Sequence, residues 1–144
     1  MDAWYEIISV FLTSAVKFFA GPLLAKSFGF GYLQTIFISS LGGITGVLVF
    51  FNLGTRIVHF FPGFFKPIKK NRKVFTKKNK FFVMLIRNYG LFGIAMFSPI
   101  LISIPVGSFL AARFFESTKK TAIATISMSV VLWSVSISTF LFLF

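Results

Sequence analysis

The stretch FSPILISIPVG, residues 97–107, decides how this chain folds. It lies within 25 consecutive uncharged residues, 88–112, a length and apolarity typical of a membrane-embedded segment. Pro99 and Pro105 each remove a backbone donor and clash with the preceding helical turn. In hydrocarbon, the freed backbone groups persist only where protein or a wet cavity covers them. We therefore expect a broken and functionally important element here rather than a straight helix.

The composition indicates that the rest of the chain is also embedded in lipid. Of the 144 residues, 56% are hydrophobic and only 12% are charged, and 23 are phenylalanine; the mean hydropathy is +0.88. Soluble domains are roughly a quarter charged, and a chain this small cannot bury so much phenylalanine in one aqueous core. The sequence predicts an all-α integral membrane protein with a single membrane domain over residues 1–144.

The reactive residue types are too few for familiar chemistry. Cysteine is absent, and one histidine (His59) and three acids do not supply an ordinary metal site. No acid–base pair or activated nucleophile stands out. We therefore expect no enzymatic activity and no cofactor. The net charge of +12 favours anionic lipid headgroups rather than nucleic acid, because a soluble nucleic-acid binder would not have this hydropathy.

A basic loop, residues 62–80, separates two halves of the chain. Eight of the fifteen residues from Lys66 to Lys80 are basic and none is acidic. The positive-inside rule predicts that this loop is cytoplasmic, and we expect it to lie on anionic headgroups.

The two halves have similar organisation. In the first half, residues 1–56, a hydrophobic stretch interrupted at Gly21-Pro22 precedes a full span at 32–53. In the second half, residues 81–144, the broken stretch 91–112 precedes a full span at 121–144. Residues 3–20 are long enough either to cross the membrane or to form one arm of a re-entrant hairpin.

Charge distribution favours re-entrant hairpins. If residues 91–112 crossed once, Arg113, Lys119 and Lys120 would lie opposite the basic loop; a hairpin that turns between Pro99 and Pro105 keeps them cytoplasmic. The predicted fold is two full transmembrane helices plus two oppositely oriented re-entrant helical hairpins. The alternative is a simple four-helix transmembrane bundle. Broken segments at corresponding positions in two halves of opposite orientation are typical of transporters.

Short motifs occur in both halves of the chain. They are GLFGI (90–94), Pro99, ISIPVG (102–107), Trp133, GPLLA (21–25), LGGITG (41–46) and LGTR (53–56). These motifs resemble the DedA/VTT-domain superfamily, also described as SNARE-associated-like, which includes small multidrug export-like proteins. In the second half, the family pattern is a Gly-rich start, a proline-broken hairpin ending in Pro-Ala-Gly, and a Trp in the next span. In the first half, it is a similar hairpin and a small-residue span ending in Gly-Arg.

The resemblance implies a protein of the bacterial inner membrane that flips or scrambles a phosphate-bearing lipid such as undecaprenyl phosphate. The chain departs from the transporting members at two places. Gly46 stands in the region where they carry an acid, and Ser98 and Pro99 stand where they carry an arginine. Arg113 is the nearest arginine, and proton coupling is therefore not implied.

The candidate substrate-binding residues follow from the predicted hairpins. Those expected to shape or charge the site are Lys17, Gly21, Pro22, Ser98, Pro99, Ser103, Pro105, Gly107 and Arg113. Lys17 and Arg113 would supply positive charge for a phosphate, and Ser98 and Ser103 would donate hydrogen bonds. The alternative function is that of a non-transporting accessory subunit of a larger membrane complex. A homo-oligomer is compatible with either function.

Overall fold

The structure is a computed structural model that describes residues 3–61, 89–93, 95–97, 99 and 103–144, except for the side chains at 114 and 116. The regular structure in these ranges is entirely helical, which confirms the predicted all-α class for them. The basic loop 62–80 and Ser98 lie outside the described residues. The main helices are α1 (Ala3–Val16), α2 (Ala20–Ser27), α3 (Tyr32–Phe60), α4 (Ile104–Phe114) and α5 (Lys119–Leu143), with a 3₁₀ turn at Glu116–Thr118.

Helices α3 and α5 are long and apolar enough to cross a membrane. Their 29 and 25 residues correspond to about 43 and 37 Å at the helical rise of 1.5 Å per residue. This confirms the two predicted candidate spans. Helix α3 continues seven residues beyond the predicted end at 53. It ends only where Phe61, the residue before Pro62, leaves helical geometry with φ −124° and ψ 64°.

These two helices lie antiparallel, and polar contacts fix their register. Lys119 Nζ donates to Asn52 Oδ1 at 2.7 Å near the start of α5. Tyr32 and Thr139 hydroxyls are 2.8 Å apart near its other end. The bundle therefore has a Tyr32 end, where α3 starts and α5 finishes, and a Phe60 end, where α3 finishes and α5 starts.

Helix α1 packs against α3 at glycine positions. A Cβ added at Gly42 would lie 2.5 Å from the Phe11 carbonyl oxygen, and one at Gly46 would lie 2.5 Å from that of Ala15. Glycines four residues apart let two helix backbones approach closely. Because the paired residue numbers rise together, α1 runs parallel to α3 and starts at the Tyr32 end.

The first break in the chain occurs at residues 17–19, between α1 and α2. The predicted apex at Gly21-Pro22 is therefore wrong by a few residues. Pro22 lies in the first turn of α2, where a missing backbone N–H leaves no intrahelical bond unmade. Gly21 is pressed against α1, since an added Cβ would meet Ser14 Oγ at 1.8 Å.

Helix α2 leads back towards the end from which α1 starts. Lys26, near its last residue, donates to the main-chain carbonyl of Leu141, and Leu141 lies close to the end of α5. The α1–α2 pair thus starts at the Tyr32 end, turns beside the middle of α3 and returns.

Helix α4 leads from a second break in the chain, which includes Ser103 with its non-helical φ of 83°, towards the Phe60 end. Gly54 of α3 lies against Phe109 and Ala112 of α4, where an added Cβ would meet both side chains at 3.2 Å. Pro105 is the second residue of α4 and favours the start of this helix, in the same way that Pro22 favours the start of α2. The two shorter arms therefore leave the middle of the bundle in opposite directions.

The two breaks share one hydrophobic core. Phe18, from the first break, and Ile104, which begins α4, are among the largest fully buried side chains. They belong to one cluster with Val47 and Phe51 of α3 and Val130 of α5. The contacts made by the breaks therefore lie at the centre of the bundle.

Candidate functional site

A cavity of about 250 Å³ lies between the two breaks. Its lining residues come from two segments far apart in the sequence: Lys17, Phe18 and Phe19 from the first break with the adjoining Ala20, and Pro99 and Ser103 from the second. The cavity is thus a product of the tertiary fold.

The first wall of the cavity, residues 17–20, is a tight turn with hydrogen-bonded backbone groups. The Lys17 N–H donates to the Thr13 carbonyl at 2.7 Å, and the Lys17 carbonyl accepts from Ala20 N–H at 3.0 Å. Phe18 is buried and packs against Gly43 of α3. This anchoring places the exposed Lys17 side chain and the ring of Phe19 at the cavity.

The second wall is conformationally strained. Ser103 has φ 83° and ψ 151° and is the one described non-glycine residue with positive φ. That region is used almost only by glycine and costs another residue about 1–3 kcal/mol. The Ser103 carbonyl accepts the Gly107 N–H at 3.1 Å, so the strained residue is tied to the first turn of α4. Strain held in a cavity wall is a common feature of functional sites.

A tryptophan from α5 supports the segment just before Pro99. Trp133 Nε1 donates to the Met96 carbonyl oxygen at 2.8 Å. Pro99 has no N–H to offer the preceding turn, so carbonyls around it need other donors. The indole adds such a donor from a neighbouring helix, at the Met96 carbonyl three residues before Pro99. This finding gives a physical role to a residue that the sequence marked only by its resemblance to a family motif.

The charge of the cavity is positive. Among the described side chains of the first half, Glu6 is the acid, and it precedes Lys17 by eleven residues, or about 16 Å along a helix. No ion pair involving Lys17 is present in the part of the chain that the structure describes. A lysine that shares a cavity lining with a serine can bind an anion by charge and hydrogen bonding.

The structure brings three of the nine predicted site residues into the lining: Lys17, Pro99 and Ser103. Pro105 and Gly107 lie in the first turn of α4, directly behind Ser103. Arg113 is ten residues beyond Ser103, about 15 Å along α4, and does not line the cavity. The prediction for Ser98 falls outside the described residues.

Gly21 and Pro22 support the cavity from behind. Both are buried in the first turn of α2 and neither lines the cavity. Sequence reasoning missed Phe18, Phe19 and Ala20 because it placed the apex at the Gly-Pro pair. The available signal was the preference of proline for the first turn of a helix, which places the preceding chain turn a few residues earlier.

The described residues hold no group of three or more His, Cys, Asp or Glu side chains that could bind a metal ion. The cavity instead combines one cation, one hydroxyl and two phenyl rings. This set can pair with an anionic group while its aromatic walls contact apolar chain.

Comparisons of this chain with protein-family models, with curated proteins and with solved structures find no match.

Proposed function

We propose that this protein is a multi-pass protein of the bacterial inner membrane that translocates a phosphate-bearing lipid, such as undecaprenyl phosphate, through the cavity between its two breaks. In this proposal the two broken elements are oppositely oriented re-entrant hairpins, as the resemblance to the DedA/VTT-domain superfamily implies. The observation that carries the proposal is the position of Lys17, a cation in a mid-bundle cavity opposite Pro99 and Ser103.

The membrane setting is supported by what the long helices leave exposed. Only 39% of the most apolar window of α3, and 33% of that of α5, is buried within the protein. Large apolar side chains such as Phe37, Met128 and Leu132 are more than 60% exposed. A core helix of a soluble protein would bury most of such a window, and water-facing patches of this extent are rare. Lipid is the solvent that suits these surfaces.

A lysine at this depth in a membrane has a free-energy cost that its function would explain. Lys17 follows α1 at the level of Gly43 and Gly46, close to the middle of the 29-residue α3. An isolated lysine at the centre of a membrane helix costs about 2.5–3.5 kcal/mol on insertion scales. An aqueous cavity and a passing phosphate would both offset that cost. Charged residues at such depths are functional candidates for this reason.

Charge sets the proposed orientation. The described cations Arg56, Arg113, Lys119 and Lys120 all belong to the Phe60 end, to which the basic loop 62–80 is also attached. The Tyr32 end carries Lys26 and Glu6. By the positive-inside rule the Phe60 end is cytoplasmic, so α1 and α2 would enter from the outer face and α4 would lead to the inner face.

Transport is tested by reconstitution into phosphatidylcholine vesicles that contain a trace of fluorescent phospholipid or fluorescent polyprenyl phosphate. Access of an impermeant quencher then reports movement between leaflets. We expect lipid movement well above that of empty vesicles, about a tenfold loss of rate in Lys17→Met, and a largely preserved rate in Lys17→Arg. A tenfold change corresponds to about 1.4 kcal/mol, in the range of one charge-assisted contact.

The matched control is Lys120→Met, which removes the same charge at the exposed start of α5. Its rate should stay within twofold of the original. Wild-type vesicles no faster than empty ones would overturn the translocation proposal. A stable complex with another membrane protein on native purification would then favour the accessory-subunit alternative.

Membrane topology has its own test, since the chain contains no cysteine. Single substitutions Trp4→Cys and Ser27→Cys place thiols near the start of α1 and at the end of α2. An impermeant maleimide should label both from the outer face of intact spheroplasts, and should label Ser117→Cys only after lysis. Labelling of Trp4→Cys and Ser27→Cys from opposite faces would show that residues 3–20 cross the membrane.

A further inference from the structure

A second polar site lies on the outside of the bundle, away from the cavity. Asn52 is an exposed amide in the middle of the sequence FFNLG, residues 50–54, of α3. The ammonium of Lys119, 67 positions further along the chain, donates a hydrogen bond to Asn52 Oδ1 at 2.7 Å. Arg56 is exposed one helical turn after Asn52, where side chains four residues apart are neighbours. Three hydrogen-bond donors therefore converge on one exposed surface.

The surroundings of this surface are apolar on one side. Leu48, Val49 and Leu53 of α3 are all exposed near Asn52. Towards the Phe60 end, the exposed Arg56 and the lysines at the start of α5 add basic groups beside further exposed apolar residues of α3, Ile57 and Phe60. An amide, a guanidinium and an ammonium at the boundary between an apolar and a basic surface match the depth of lipid headgroups.

The geometry points to a binding site for the phosphate of an anionic phospholipid, formed by Asn52, Arg56 and Lys119. The bond from Lys119 uses one ammonium proton, so two remain, and the Asn52 side-chain NH₂ and the Arg56 guanidinium also face no acceptor in the described contacts. Guanidinium groups pair with phosphate oxygens in a two-bond geometry. The acyl chains would lie along the exposed leucine and valine side chains.

Charge complementarity selects an anionic lipid over a zwitterionic one. Within the site, Lys119 and Arg56 outnumber the single acid of the neighbouring sequence, Glu116. A zwitterionic headgroup would bring its own cation into this excess of positive charge. The inference rests on the proposed membrane setting but not on lipid translocation.

The test measures lipid preference of the full chain in phosphatidylcholine bilayers that contain a trace of spin-labelled phosphatidylglycerol or spin-labelled phosphatidylcholine. The protein-associated fraction of each probe gives a relative association constant. We expect a several-fold preference for phosphatidylglycerol, since a basic residue in direct contact with an anionic headgroup contributes on the order of a fivefold change. Lys119→Met and Arg56→Met should each lower that preference about threefold to fivefold.

Controls separate a built site from diffuse charge. Lys120→Met removes an adjacent charge that has no contact to Asn52, and the preference should change less than twofold. Asn52→Leu should lower the preference. In the double variant Asn52→Leu/Lys119→Met, the loss should not exceed that in Lys119→Met alone, because both substitutions disrupt the same site and their effects are not additive. Arg56→Lys, which keeps the charge, serves as a variant with minimal effect on folding.

Two results would overturn the inference. Equal losses in Lys119→Met and Lys120→Met would assign the preference to overall charge, and strictly additive losses in the double variant would show that Asn52 and Lys119 do not act together. Millimolar inorganic phosphate should leave the lipid probe bound; complete displacement would identify a free-phosphate site instead. Phosphatidylglycerol preference without lipid movement would sustain this inference while refuting translocation.

Discussion

The two chain breaks reach the same cavity by different physical means. The first, residues 17–19, joins α1 and α2 through a turn with ordinary backbone geometry and paired N–H and carbonyl groups. The second, which includes Pro99 and Ser103, has a residue with φ 83°, and the nearby Met96 carbonyl accepts a hydrogen bond from a tryptophan of another helix. One wall of the cavity is relaxed and the other is strained.

This difference indicates which wall of the cavity can change conformation more easily. The first break is fixed by close backbone packing of α1 against the glycines of α3 and by the burial of Phe18. The second contains a strained serine, and among its described neighbours the Met96 carbonyl accepts a long-range hydrogen bond from Trp133. Strain of about 1–3 kcal/mol at Ser103 lowers the free-energy difference between this arrangement and alternatives. The comparison predicts a rigid first wall and an adjustable second wall.

The largest expected effect comes from breaking the packing of the first wall. In Gly46→Leu, a Cβ would lie 2.5 Å from the Ala15 carbonyl oxygen, so α1 must move away from α3. Overpacking usually costs 1–3 kcal/mol and more where backbone is the obstacle, so we expect a loss of about 3 kcal/mol. Thermal unfolding in detergent, followed by circular dichroism, measures it.

Gly31→Ala is the control for that experiment. At Gly31, φ is −67° and an added Cβ would meet only Gln34 Oε1, at 3.7 Å. Its stability should change by less than about 0.5 kcal/mol. If Gly46→Leu were as stable as Gly31→Ala, the close approach of α1 and α3 would be refuted.

A smaller effect is expected from removing the support of the second wall. Trp133→Phe keeps an aromatic ring but deletes the donor to Met96, which should cost about 1–2 kcal/mol of unfolding free energy. Amide exchange of residues around 95–97 should accelerate as well. Trp4→Phe, at a position 75% exposed, should leave both quantities unchanged. Equal protection in the two variants would contradict a supporting role for Trp133.

The smallest expected effect is an increase in the free energy of unfolding rather than a decrease. Ser103→Gly should stabilise the protein by about 1 kcal/mol, because glycine adopts positive φ without the penalty that serine carries. Ser136→Gly, at an exposed position inside α5, should destabilise it by about 0.5 kcal/mol through lost helix propensity. The contrast is measured by the same unfolding experiment. Destabilisation by both substitutions would show that Ser103 is not strained.

Local signals in the sequence were sufficient for the long helices and for the second break. Uncharged runs predicted α3 and α5, and two prolines predicted an interruption near Pro99. The Gly21-Pro22 pair predicts an apex a few residues too late, because a proline in the first turn of α2 marks the start of a helix. The end of α3 was also underestimated, since Arg56 and the residues after it remain compatible with helix beyond the apolar run.

The composition of the cavity depended on contacts that no local pattern contains. Lys17 and Ser103 are 86 positions apart and meet because glycines on α3 admit α1 closely while α4 packs at Gly54. Their positive charge alone predicts both Arg113 and Lys17 as phosphate-binding residues. The rise along α4 separates it from the cavity by about 15 Å, a distance that only the arrangement of the helices could reveal.

The central claim, that the two breaks face each other across one cavity, has a direct test. The chain has no native cysteine, so Lys17→Cys/Ser103→Cys carries the only two thiols. A short bismaleimide should link them within one molecule, seen by mass spectrometry as a joined peptide from the monomer band. Lys17→Cys/Arg113→Cys should link far less. An absence of linkage in the first pair while both thiols react singly, or equal linkage in the two pairs, would contradict the account.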